Sequence, residues 1–158
     1  MADRGLPVMT GSGLKKIFTL VLAVALVAPV ALSGCGGSSP EGAVNSFLKA
    51  WQDMNWEAFK ASVAPERREL TKEQEELAKQ KFEQIQVKTE GLKMQTVYSE
   101  EDEKKAAVVL TDGKITFTAM ILGEKKTETR NIKDLSKEER TYATVQVDST
   151  WYVDKDLG

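Results

Sequence analysis

AAVVLTDGKITFTAMIL, residues 106–122, decides the fold. Its Val108, Val109, Ile115, Thr116, Phe117, Thr118 and Ile121 are β-branched or aromatic, the side chains that pack well on a pleated surface. Asp112-Gly113 divides the run. An Asp-Gly pair between alternating apolar residues is a strong hairpin signal, because a type I′ turn needs positive φ at both central residues. The expectation is therefore two strands turning about Asp112-Gly113. Beyond it, Ile115, Phe117, Ala119 and Ile121 share one face, and Thr116, Thr118 and Met120 take the other.

The same period of two continues on both sides. Upstream, Leu92, Met94 and Tyr98 alternate with polar neighbours, and Ser99-Glu100-Glu101-Asp102-Glu103 reads as an acidic turn. Downstream, Thr127 to Ile132 reads as a strand and Asp134 to Glu139 as a helical turn. Tyr142 to Val147 and Thr150 to Val153 form a closing hairpin about Asp148-Ser149.

Further upstream the period becomes helical. Ser38 caps a helix in which Pro40 suits the first turn and Glu41 lies three residues after the cap. Val44, Phe47, Leu48, Trp51 and Met54 then share a face, with Asn45, Lys49 and Gln52 turned away. Asn55 caps a second helix carrying Trp56, Phe59 and Val63 inward until Pro65 stops it. Thr71 with Gln74 is a capping box opening a charged helix, Lys72 to Gln86, whose apolar stripe is Leu77, Ala78, Phe82 and Ile85. Helices followed by a run of antiparallel strands predict an α+β domain, its helices packed on one face of a sheet.

Composition narrows the function classes. The 158 residues carry 22 Lys plus Arg against 24 Asp plus Glu. No basic excess exists to replace the counterions of a nucleic acid, so no nucleic-acid partner is expected. Histidine is absent and cysteine occurs once, at Cys35. The commonest proton-transfer side chain near neutral pH is thus missing, as is a zinc ligand set. No intramolecular disulfide can form, and no cofactor is implied.

Lys15-Lys16 precede IFTLVLAVALVAPVAL, residues 17–32, which contains no charge. The run is shorter than the roughly 20 apolar residues of a spanning helix. A positive flank, a short apolar core and then small residues describe a secretory signal, set against a retained anchor or a buried helix. Met9 offers a second possible start ahead of the Lys pair. Leu32-Ser33-Gly34-Cys35 then resembles the lipobox of bacterial lipoproteins: Leu, a small polar residue, Gly or Ala, and Cys. The resemblance implies diacylglycerol in thioether linkage on Cys35, cleavage before it, and often acylation of the new amine. On this reading residues 1–34 are removed, 35–39 are the lipidated cysteine and a flexible linker, and 40–156 are a single α+β domain. Removal takes away Arg4, Lys15 and Lys16 against Asp3, making the formal charge of −2 more negative. Lipid rather than charge would then hold the chain to an anionic membrane.

SPEGAVNSFLKAWQDMNWEAF, residues 39–59, and VDSTWYVD, residues 147–154, resemble the opening helices and final hairpin of nuclear-transport-factor-2-like domains. The resemblance implies a cone in which a bent sheet wraps helices around a pocket, as in small bacterial lipoprotein domains. A similar domain begins some penicillin-binding transpeptidases, but no residues remain here for the transpeptidase. Trp51, Trp56, Tyr98, Phe117, Tyr142 and Trp151 are the candidate pocket residues, although aromatics at such spacings more often fill a core. Members of this superfamily that catalyse isomerisation or dehydration use pocket Asp, His and Tyr. This chain has no His, and Asp102, Asp112, Asp134, Asp148, Asp154 and Asp156 fall in expected turns or near the end, so no catalytic residue is assigned. Glu100 to Glu103 lack the alternating ligands and glycine turn of a calcium loop, and no metal site is assigned. The expectation is a lipid-anchored, extracytoplasmic, non-enzymatic accessory domain for a protein partner or small apolar ligand. A small-molecule enzyme of isomerase or dehydratase type and a structural envelope protein are the alternatives.

Overall fold

The computed structural model describes residues 36–157. Helices α1 (Pro40–Gln52), α2 (Trp56–Ser62) and α3 (Lys72–Gln84) precede strands β1 (Ile85–Tyr98), β2 (Lys105–Ile121), β3 (Glu124–Asn131), β4 (Thr141–Val147) and β5 (Thr150–Val153). The fold is α+β, with three helices packed against a curved antiparallel half-barrel sheet. Leu32, Ser33, Gly34 and Cys35 lie outside the described residues.

The helix starts follow from capping chemistry. Ser39, not Ser38, caps α1, its hydroxyl accepting from the Gly42 N–H at 3.1 Å. That register puts Pro40 at the first helical position, where a missing N–H costs nothing. Glu41 is thereby freed to accept from the Thr96 hydroxyl on β1 instead of closing a capping box. Asn55 accepts from Ala58 N–H at the start of α2, and Thr71 and Gln74 complete their reciprocal box at α3. In α3 only Ala78 and Phe82 are buried; Leu77 stays exposed, and Ile85, expected on the helix, begins β1.

The expected hairpin about Asp112-Gly113 does not form. Residues 105–121 are one strand, β2, bent where Gly113 (φ +108°) faces Gly91 of β1 (φ +60°). The β1–β2 register shifts between Glu90 and Lys93 and again between Lys93 and Met94, a bulge that steepens local twist and bends the sheet. Inward residues consequently change parity along β2. Ala106, Val108 and Leu110 are buried before the bend and Ile115 after it, with Phe117 packing against the core. The turn lies ten residues later, at Leu122-Gly123, where both φ values are positive (+53° and +82°). It joins β2 to β3, and a similar turn at Asp148-Ser149 (+48°, +66°) joins β4 to β5 as expected.

The bend divides the partners of β2. Its first half pairs with β4 (Lys105↔Val145 to Val109↔Thr141) and its second half with β3 (Lys114↔Asn131 to Ile121↔Glu124), while β1 follows its other side. The link between β3 and β4 is a 3-10 turn, Ile132–Asp134, whose Ile132 is fully buried. Helix α1 runs beside β1 and satisfies groups on that outer edge. The Trp51 indole N–H donates to the Ile85 carbonyl at 2.8 Å, and the Gln52 Oε1 accepts from Thr89 N–H at 3.3 Å. Blocking an edge in this way removes a template for unwanted strand addition.

Of residues 36–39, expected as a flexible linker, Gly36 and Gly37 lie against β5 and Ser39 caps α1. Gly37 and Trp151 exchange backbone hydrogen bonds at 2.8 and 2.9 Å, forming an antiparallel bridge. Val63, leaving α2, bridges Val153 of the same strand in parallel fashion.

Candidate functional site

The space between helices and sheet is filled by rings. Phe47 lies 4.6 Å from Phe59 and 6.0 Å from both Trp51 and Tyr142, centroid to centroid. Phe82 lies 4.7 Å from Phe59 and 5.6 Å from Trp56. These spacings are those of packed aromatic pairs. Burial raises the Tyr142 phenol above its ordinary value, with no charged partner contributing. A tyrosine so placed stays protonated at neutral pH and offers no base.

The six expected pocket residues do not converge. Trp51, Trp56 and Tyr142 belong to this ring cluster, and Phe117 packs on its sheet side. Tyr98 and Trp151 stand apart, edge to face at 6.0 Å, beside the Gly37 bridge. Trp151 shares a small separate core with Ala43 and Ala106.

An open cleft of about 430 Å³ lies over the bulge, lined by Glu90, Asp112, Lys114, Asn131, Lys133 and Asp134 among others. Asp112 is its best-tied group. Its carboxylate accepts from Gly113 N–H at 2.9 Å and faces Lys133 Nζ at 3.3 Å and Lys93 Nζ at 3.7 Å. The Gly113 amide first, and Lys133 next, hold it below the usual carboxylate range. A carboxylate stabilised in its charged form is a poor proton acceptor. Asp112 therefore ties the bend together electrostatically through Gly113, Lys133 and Lys93. Among the described residues, no group of three or more Asp, Glu, His or Cys is placed to hold a metal ion.

The β2–β3 turn presents the opposite chemistry. Met120 is 58 % exposed, Ile121 46 % and Leu122 100 %. Ile121 shares the parity of the core-facing Ile115 and Phe117, as does Ile85 through its pairing with Ala119, and both are exposed; Met120 is on the other face, opposite Lys125. Leu122 is the anomaly, since a type I′ turn favours Asn, Asp or Gly at this position. A large apolar side chain there pays for left-handed backbone and for contact with water at once. The Leu-Gly pair was the only sequence signal for this tip, and the stronger Asp-Gly signal nearby masked it.

Helices among the described residues are none of them long and apolar enough to cross a membrane. Comparison of the chain with protein-family models gives no match, and a search of curated proteins gives none either.

Proposed function

We propose that this protein is a lipid-anchored extracytoplasmic domain that binds a protein partner through the β2–β3 hairpin tip. One observation carries the binding half of this reading. The interior is filled by Phe47, Trp51, Phe59, Phe82 and Tyr142, while Met120, Ile121 and Leu122 remain in water. A contiguous exposed apolar patch rimmed by polar residues marks an interaction site, and these three are consecutive at a tip flanked by the charged strand β3. The anchoring half rests on Cys35 and its Lys-flanked apolar leader, with two or more acyl chains giving stable attachment where one is marginal. Three helices against a curved antiparallel sheet are consistent with a nuclear-transport-factor-2-like cone whose pocket is closed by its own rings.

Two experiments test the reading. Cys35→Ala should abolish incorporation of labelled fatty acid and leave the leader attached; equal labelling of the variant defeats the anchor. A photo-crosslinker at residue 122 should capture a discrete protein species in intact cells that one at exposed Lys137 does not. Identical products from both positions defeat the tip as the binding site.

A further inference from the structure

We infer that Gly36 and Gly37 form a clasp on β5 that begins one residue after the lipid site, removes the stalk this stretch would otherwise supply, and so turns the hairpin tip away from the bilayer. The inference rests on the reading of Cys35 as the lipid site. Gly37 is bonded in both directions to Trp151. Gly36 has φ +76°, and a β-carbon there would sit 2.5 Å from Thr150 Cγ2 and 2.7 Å from the Trp151 carbonyl oxygen. Only glycine satisfies both that backbone and that proximity. One peptide unit, about 3.8 Å between α-carbons, then separates Gly36 from Cys35. The four residues Gly36 to Ser39 look like slack in the sequence but supply none.

The clasp sits at one end of the sheet. Trp151 pairs with Gln146, whose N–H donates to the Lys104 carbonyl at 2.7 Å, just before β2 begins. Leu122 follows the other end of β2, 17 residues along. At about 3.3 Å per residue a straight strand of that length spans roughly 50 Å, and the bend at Gly113 shortens this. The anchored end carries Tyr98, Tyr152 and the acidic turn containing Glu100, Glu101, Asp102 and Glu103. Anionic lipid repels that turn, so the covalent lipid and not charge keeps this end at the surface. The tip is held over the aqueous side, where a protein partner can reach it.

Energy transfer in the lipidated full chain, purified from membranes and reconstituted in phosphatidylcholine vesicles, tests the clasp. With the Cys35 sulfur occupied, a donor is placed through Glu101→Cys or Lys125→Cys, and an acceptor on the lipid headgroups. Transfer from position 101 should exceed that from 125 severalfold. Inserting Gly-Ser-Gly-Ser between Cys35 and Gly36, which leaves the clasp intact but lengthens the tether, should collapse the difference. Equal transfer from the two positions, or an insertion without effect, overturns the clasp while a lipidated mass leaves the anchor standing. A bare Cys35 thiol in the purified chain overturns both.

Discussion

Gly113 approaches Gly91 on the neighbouring strand so closely that a β-carbon built on it would lie 2.8 Å from the Gly91 carbonyl oxygen. Gly91 has no such neighbour, since nothing lies within 4 Å of its own β-carbon position. The two glycines therefore differ although both have positive φ. At Gly91 only backbone strain resists a side chain; at Gly113 a rigid backbone atom resists as well.

The first prediction follows from that difference. Gly91→Ala should destabilise the domain by about 1 kcal/mol, the cost of a left-handed residue. Gly113→Ala should cost about 2–3 kcal/mol, because strain is joined by a clash that main-chain atoms cannot relieve without opening the bulge. Urea unfolding of the two variants measures both, and equal losses would show that the bend does not depend on close approach.

Leu122 gives a prediction of opposite sign for stability and binding. Its fully exposed side chain gains nothing from burial, and its φ of +53° is unfavourable for any residue with a β-carbon. Leu122→Gly should leave stability unchanged or raise it by up to about 1 kcal/mol. The same change should lose the crosslinked partner. Thermal unfolding beside a pull-down of that partner checks it, and a clearly destabilised Leu122→Gly would mean that the side chain serves the fold.

The bend and the hairpin are indistinguishable in the pattern of apolar residues, which explains why the sequence points to the wrong turn. In a two-residue hairpin about Asp112-Gly113, Leu110 and Ile115 would oppose each other on one face. In the continuous strand they also face inward, because the irregularity at Gly91 and Gly113 switches the parity of β1 and β2 together. The local evidence for the turn was chemical, and Asp-Gly outranks Leu-Gly. Helix caps were legible at Asn55 and at Thr71 with Gln74, where short-range hydrogen bonds decide. At Ser38-Ser39 two equivalent side chains compete and Pro40 selects the second. The buried rings Trp56 and Phe59 were legible from helical spacing. Whether Tyr98 and Trp151 joined them was not, since that depends on how β1 and β5 lie in the sheet. Nor could composition show that Gly36-Gly37 is clamped, because the same residues serve linkers and tight bridges alike.

Phe47 touches helix and sheet rings together, so its loss should be felt across the interior. Phe47→Ala removes contacts to Trp51, Phe59 and Tyr142 and should cost about 3–5 kcal/mol, the range for truncating a buried aromatic. Phe47→Leu should recover most of that. Chemical denaturation monitored by circular dichroism reads both, and a small loss in Phe47→Ala would indicate that the rings do not form the central core.

Tyr142 makes stability sensitive to alkaline pH. Burial raises its phenol above the ordinary value near 10 in the folded chain, whereas the unfolded chain ionises there. The folded state then holds more protons than the unfolded state, and stability falls with rising pH wherever this is so. The contribution is complete below about pH 10 and is lost as the pH climbs from there through the folded value. Tyr142→Phe cannot ionise and keeps the ring against Phe47, so its stability should fall less steeply over that range. Wild type and Tyr142→Phe differ at this phenol alone, so the difference between the two pH profiles isolates this one group. Parallel profiles for wild type and Tyr142→Phe would mean that the phenol reaches water in the folded domain.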